Sequence, residues 1–326
     1  MLAVDAHQHL WPEEVLRALA GRTSAPRAAW ADGTWILELP GEPAFAVDPA
    51  DHDPVARGAQ ARAAGLDQVL LALSTPVGIE ALPAAEAEAV LDAWATAART
   101  LPPGLETWAP VALDAPADHV AARAGASLDA GAVGVVVAAG ALRTPADVER
   151  LGPLLSLLEA RLSPLFVHPG PAPWTPTPPP AEPWWAPSVG YVADLHAAWH
   201  AVSAWARPAH PRLAVLFAAC AGLAPVHAER TALRGGPVAD EPDPLLFYDT
   251  SSYGERGLHA MCCAVGSAQL VHGTDAPVVA VPDDEPLGPD VARAARRENA
   301  ARMLGRLWTP FGDAAAITTT TTEASA

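Results

Sequence analysis

Short apolar runs alternate with helical patterns eight times along this chain, and that alternation narrows the fold more than any other feature. Strands are expected at 3–9, 67–73, 105–112, 132–138, 164–168, 212–217, 245–250 and 268–273. Ala/Leu/Glu-rich helices are expected near 53–64, 83–100, 116–129, 145–161, 191–206, 223–233, 255–264 and 289–304. Starts such as "TPADVERL" (144–151) set a Thr cap before a Pro at the first helical position. A strand-then-helix series implies parallel strands, because parallel neighbours need a long crossover between them. Eight such units close a (β/α)8 barrel, an α/β fold that takes about 250 residues. At 326 residues the chain leaves room for insertions. An open doubly wound sheet competes, but no GxGxxG or GxxxxGK[ST] follows any strand. The expected organisation is one barrel domain over 1–310 and a disordered tail over 311–326, which includes the low-complexity "TTTTTEASA".

Two insertions stand out. Residues 33–48, "GTWILELPGEPAFAVD", read as a β-hairpin around Pro40-Gly41. Residues 169–190 follow the fifth strand and carry eight prolines between Pro171 and Pro187, which forbids helix or central strand. The loop leaves the end of the barrel where barrel enzymes keep their active sites. We therefore read it as a lid whose Trp174, Trp184 and Trp185 face a ligand; a PxxP docking site is the competing reading.

Charge and composition remove other classes. The formal net charge is −17, and all 20 basic residues are Arg. Such acidity argues against nucleic acid and anionic membrane surfaces as partners. The missing Lys excludes a Schiff base, a P-loop lysine and a carboxylated lysine bridging two metals. No apolar run approaches the ~20 residues of a bilayer span, and "MLAVDAHQHL" lacks the basic start of a signal peptide. The three cysteines form no CxxC pair, so a reduced, cytoplasmic setting is expected. The partner is then a small-molecule substrate; exposed Trp on a barrel of this size leaves room for a homodimer.

The chemistry concentrates at strand ends. His7 and His9 in "AVDAHQHLW" share one face of a strand, roughly 6–7 Å apart, with Asp5 on the same parity. The fifth strand ends in "FVHPG", placing His168 at the rim, and the eighth runs into "VHGTDAP", placing Asp275 there. Three neutral imidazoles and a carboxylate form an N/O set for one divalent first-row ion, zinc first and manganese as an alternative. Asp275 could be both ligand and proton acceptor. Ser251 and His272 are further pocket candidates, and Asp249 to Ser252 end the seventh strand.

These motifs, "VDAHQHLW", "LFVHPG", "GTDAP", "YDTSSYG" (248–254) and the closing "RRENAARMLG" (296–305), resemble the amidohydrolase superfamily. More narrowly they resemble the amidohydrolase-related group of aminocarboxymuconate-semialdehyde decarboxylase, resorcylate-type decarboxylases and small lactonases. The resemblance spans about residues 3–305. It implies a barrel, one catalytic divalent metal on His7, His9, His168 and Asp275, and a metal-bound hydroxide. One departure is marked. In this group the sixth strand ends in a histidine that orients or protonates the substrate, and alignment on "GLAP" puts Ala219 there. His272 and His227 are possible substitutes; Cys220 should point away.

The leading expectation is a metal-dependent hydrolase of a small ester, lactone or amide, with Asp275 shuttling the proton. A non-oxidative decarboxylase or related lyase on the same site is the alternative. A catalytically weakened, ligand-binding barrel is the third. His196 and His200 lie at i, i+4 without the Glu of a zinc-protease helix, so they are read as helix-face residues. Arg57 is read as pairing with surface carboxylates.

Overall fold

The computed structural model describes residues 1–40, 42–174, 182–237, 241–279 and 287–305. The 311–326 tail and the centre of the Pro/Trp-rich loop, 175–181, lie outside the described residues. Strands in chain order are β1 (Val4–His9), β2 (Arg27–Ala31), β3 (Thr34–Glu38), β4 (Phe45–Val47), β5 (Gln68–Ala72), β6 (Leu105–Ala109), β7 (Gly134–Ala138), β8 (Leu165–His168), β9 (Val215–Phe217), β10 (Leu246–Asp249) and β11 (Leu270–Val271).

Eight of them form one sheet in the order β1-β5-β6-β7-β8-β9-β10-β11, each pair parallel. The last strand returns to the first through the chain that continues β11: Ala6 N donates to His272 O (2.9 Å), Asp275 N to His7 O (2.8 Å) and His9 N to Ala276 O (2.8 Å). The result is the expected (β/α)8 barrel.

Alternation sorts the apolar side chains into two layers. Val4, Ala6, Leu70, Ala72, Trp108, Val136, Phe166, Leu216, Phe247 and Val271 fill the interior, joined by Ala300 and Met303. Two larger clusters, one around Leu155, Val215 and Ala198 and one around Leu19, Leu71 and Val90, pack strands against helices. Trp108 is fully buried and its Nε1–H donates to Ala6 O (3.0 Å), so its one polar atom is satisfied inside the barrel.

The expected hairpin over 33–48 is present as β3 against β4, and β2 extends it to a three-stranded antiparallel sheet through a turn at Asp32-Gly33, both at positive φ. Two sequence expectations need correction. The register of β1 against β5 shifts between Asp5 and Gln8. That irregularity breaks strict parity, and Asp5 does not share the face of His7 and His9. Its carboxylate instead accepts from Gln8 Nε2, Thr274 Oγ1, Thr274 N and His7 N. Arg57, expected at the surface, is buried and donates to Gln8 Oε1 and Ala276 O, bracing β1 against the segment after β11.

The rim after β9 departs from the helix expected at 223–233. Ala219, Cys220, Ala221, Gly222 and Leu223 all have φ between 44° and 62°. Left-handed backbone costs roughly 1–2 kcal/mol at each non-glycine residue, so something must hold this turn. Ala219 N donates to Asp249 Oδ1 (2.8 Å), Ala221 N to Ala218 O (2.9 Å) and Cys220 Sγ to Asp249 O (3.1 Å).

Candidate metal centre

His7, His9, His168 and Asp275 offer one ligand atom each, all within 4.8 Å of one another, and among the described residues they are the group so placed. The four imidazole and carboxylate groups come from β1, the end of β8 and the turn after β11, which are far apart in sequence and neighbours only in a closed barrel. His7 Nε2 lies 3.0 Å from His9 Nε2 and 3.4 Å from Asp275 Oδ1, and His9 Nε2 lies 2.9 Å from that oxygen.

The far side of each ring explains this convergence. His7 Nδ1–H donates to Asp249 Oδ2 (2.6 Å), and His9 Nδ1–H to Ala72 O (3.2 Å). His168 Nδ1 meets Thr75 Oγ1 (2.8 Å) and Pro169 O (3.0 Å), while the Thr75 hydroxyl donates to Pro169 O. Acceptors at Nδ1 fix the tautomer that leaves the Nε2 lone pairs facing inward. Three ring nitrogens and a carboxylate oxygen at these separations are satisfied by a proton on His7 or, in its place, by a metal cation between them. The donor set, three imidazoles and one carboxylate, fits one divalent ion.

Burial and charge polarise the group. Burial alone would lower the pKa of His7, but Asp249 and Asp275 outweigh it and raise it to about 9. Burial lowers His9, with Asp275 opposing. Burial and the two neighbouring imidazoles hold His168 well below its usual value. Burial would raise Asp275, yet the three histidines pull its carboxyl well below the usual carboxylate range.

The centre lies at the floor of a cavity of about 590 Å³ lined by Trp11, Leu39, Phe45, Val192, Leu195, Val278 and Val279. Polar lining comes from Ser74, Ser251, Ser252, Glu42 and Tyr191. The Tyr191 hydroxyl donates to Glu42 Oε1. Burial, with the negative charges of Glu42 and Asp275, raises the Tyr191 phenol, and burial raises Glu42 against the effect of that hydrogen bond. Neither residue was singled out from the sequence, where they stand 149 positions apart.

Other expected residues fall as follows. Ser251 lines the cavity, as does Ala219. Trp174 packs on the outer cluster beneath the Arg150 guanidinium (4.0 Å to the ring centroid) rather than facing the cavity. Trp184 and Trp185 pack on each other at 5.5 Å and are about half exposed; Pro187 and Ser188 of that loop reach the cavity instead. His272 does not line it, being held in the barrel wall by backbone bonds to Ala6 and Ala295. Cys220 is buried in the outer layer, as parity implies, and His227 is exposed beyond it. Asp249 stands behind His7 rather than in the cavity, accepting from its ring, from Ala219 N and from Ser251.

The fold is shared with several solved structures. IDCase from Metarhizium anisopliae, in apo form, superposes with a TM-score of 0.74 at 19% identity, over 93% of this chain and 97% of its own. A structure described as an amidohydrolase II gives 0.72 at 18% over 93% and 99%. 2,6-Dihydroxybenzoate decarboxylase from Rhizobium gives 0.66 at 16% over 94% and 99%. No protein-family model and no curated protein matches the chain. 5-Carboxyvanillate decarboxylase from Sphingomonas paucimobilis shares the fold as well, with a TM-score of 0.65 at 17% identity over 93% of this chain and 99% of its own. Among the described residues no helix is long and apolar enough to cross a membrane.

Proposed function

We propose that this protein is a metal-dependent decarboxylase of a small, ring-sized carboxylic acid. The observation that carries this reading is the convergence of three Nε2 atoms and one carboxylate at the floor of a largely apolar cavity of about 590 Å³. The cavity size is in the range of small-molecule sites. Structures of decarboxylases with bound manganese share the fold, one from Polaromonas with 2-nitroresorcinol as inhibitor, and they favour the lyase over the hydrolase expected first.

His7, His9, His168 and Asp275 would hold the ion, which when bound supplies Lewis-acid charge to a substrate oxygen. Decarboxylation breaks a carbon–carbon bond and leaves its electron pair on the ring carbon, so one proton must replace the departing carbon dioxide. Asp275 and Tyr191 both line the cavity. Asp275 is the group that carries that proton from solvent to carbon. Tyr191, kept protonated by burial and its acidic neighbours, gives its one proton to Glu42 and offers its phenol oxygen as an acceptor that orients a substrate hydroxyl. The apolar walls contact the ring and exclude water.

A second reading, hydrolysis of an ester, lactone or amide, is favoured by Ala219. A methyl group stands where the resemblance places an imidazole, and hydrolysis can run with Asp275 as sole proton carrier. The test uses protein loaded with Mn²⁺ or Zn²⁺, hydroxylated benzoic acids on one side, lactones and aryl esters on the other. Metal-dependent release of carbon dioxide is expected. Oxygen-18 uptake from labelled water into product, without carbon dioxide, would replace the first reading by the second. Failure to hold about one ion per chain would remove both.

A further inference from the structure

Nine non-glycine residues of the described chain have positive φ, and four of them, Ser74, Ala219, Ser252 and Asp275, line the cavity. At Ser74 φ is 72° and ψ is 105°, outside the small left-handed well open to L-residues. Such backbone persists only where its surroundings over-determine it, and here both neighbours are fixed. Leu73 O accepts from Trp11 Nε1 (3.2 Å), and the Thr75 hydroxyl meets His168 Nδ1 (2.8 Å). One residue further back, Ala72 O accepts from His9 Nδ1 (3.2 Å). Two of the candidate metal ligands thus flank the bend, and Gly170 lets the rim after β8 close on it, since a Cβ there would lie 2.7 Å from Thr75 Oγ1. A glycine at 74 would take the same bend without strain, so the serine side chain needs its own reason. Ser74 is 8% exposed and lines the cavity beside His7, His9 and His168. The other hydroxyls there are committed or exposed: Ser251 Oγ donates to Asp249, the Tyr191 hydroxyl donates to Glu42, and Ser252 is exposed. Among the described residues no partner takes the Ser74 proton. The described lining also holds no Arg, and the chain has no Lys, so beyond the metal centre an anionic ligand meets no cationic side chain.

We propose that Ser74 is a substrate-binding residue whose hydroxyl donates to an anionic oxygen of the substrate beside the metal centre. The inference rests on the cavity's being the active site of the metal-dependent enzyme proposed above. It holds for the carboxylate of a decarboxylated acid and for the oxyanion of a hydrolysed carbonyl alike. The strained backbone fixes the donor before the substrate arrives, so little ordering is left to be done on binding. The fold gives up stability at this residue for a donor that glycine cannot supply.

Calorimetric titration of the Mn²⁺-loaded protein with salicylate, a hydroxylated benzoate, tests this beside urea unfolding and elemental analysis. Ser74→Ala keeps the strain and removes the donor, whereas Ser74→Gly removes both. Each variant should hold about one Mn²⁺ per chain, as the wild type does, because Ser74 is no ligand. Each should bind salicylate about tenfold or more weakly than the wild type, the loss expected for a hydrogen bond to a charged partner. Only Ser74→Gly should show a higher urea midpoint than the wild type, at unchanged slope. A purely structural serine would move the midpoint and leave the affinity alone. Unchanged salicylate affinity in Ser74→Ala and Ser74→Gly would therefore overturn the proposal, and so would a Mn²⁺-loaded wild type that binds no salicylate. A Ser74→Gly protein no more stable than the wild type would overturn it too, since the serine would then cost nothing. A wild type that holds no ion would fail the metal-centre reading and this proposal with it, which separates that failure from the others.

Discussion

Asp249 shows how much of the centre depends on a side chain that never enters the cavity. It is fully buried, and its carboxylate orients His7, holds Ala219 N and accepts from Ser251 Oγ at 2.6 Å. Loss of such an orienting partner typically costs 10–100-fold in metal affinity. Asp249→Asn should therefore weaken Zn²⁺ or Mn²⁺ binding by about that factor, since the amide keeps the shape but removes the charge facing His7. Competition with a chromophoric chelator measures it. Unchanged affinity would mean that His9, His168 and Asp275 set the site without help. The sequence placed Asp249 at the end of the seventh strand. Its role behind a ligand was not legible because it depends on β10 and β1 meeting around β11 when the barrel closes.

At the scale of elements, the helix Gly152–Arg161 ends on Leu162, which has φ 52° and is 60% exposed. A left-handed residue after a helix is ordinarily Gly, because Cβ is strained there. Leu162→Gly loses little burial and should stabilise the fold by about 1 kcal/mol, read as a higher urea midpoint at unchanged slope. The opposite case is Gly273, where a Cβ would lie 2.9 Å from Cβ of both His7 and Asp249, so the glycine of "GTDAP" is what lets these strands converge. The elements themselves were largely legible. All eight barrel strands lie within the expected spans, because each is an apolar run bounded by helix caps and turn residues. The metal ligands were legible for the same reason, as polar residues at the ends of such runs. What escaped was non-local or irregular. The register shift in β1 moved Asp5. The left-handed turn at 219–223 replaced a helix start. β2 escapes a reading that centres the hairpin on Pro40-Gly41, although Asp32-Gly33 is itself a hairpin signal.

For the molecule as a whole, the pH dependence of folding should carry the mark of one buried acid outside the cavity. Glu80 follows β5 in a short helical turn, is 2% exposed, and its Oε2 has no hydrogen-bond partner among the described residues. Burial pushes its pKa up to about 8, against 4.5 for a free glutamate. Below about pH 4.5 both folded and unfolded chains hold the proton, and Glu80 contributes no pH dependence. Between there and about pH 8 the unfolded chain releases a proton that the folded chain retains. The unfolded state then binds fewer protons, so stability falls as pH rises through this window. Above it both forms are ionised and the penalty is constant. Glu80→Gln removes the ionisation and should stabilise the protein at pH 8 by about 1–3 kcal/mol. That gain should shrink steadily on acidification and vanish near pH 4.5. Urea unfolding of both proteins across pH 4.5–8.5, with the metal state held constant by chelator, measures the difference. A gain independent of pH would show that the substituted amide packs better rather than that Glu80 carries a proton, and a loss at pH 8 would show that the carboxylate is paired in solution.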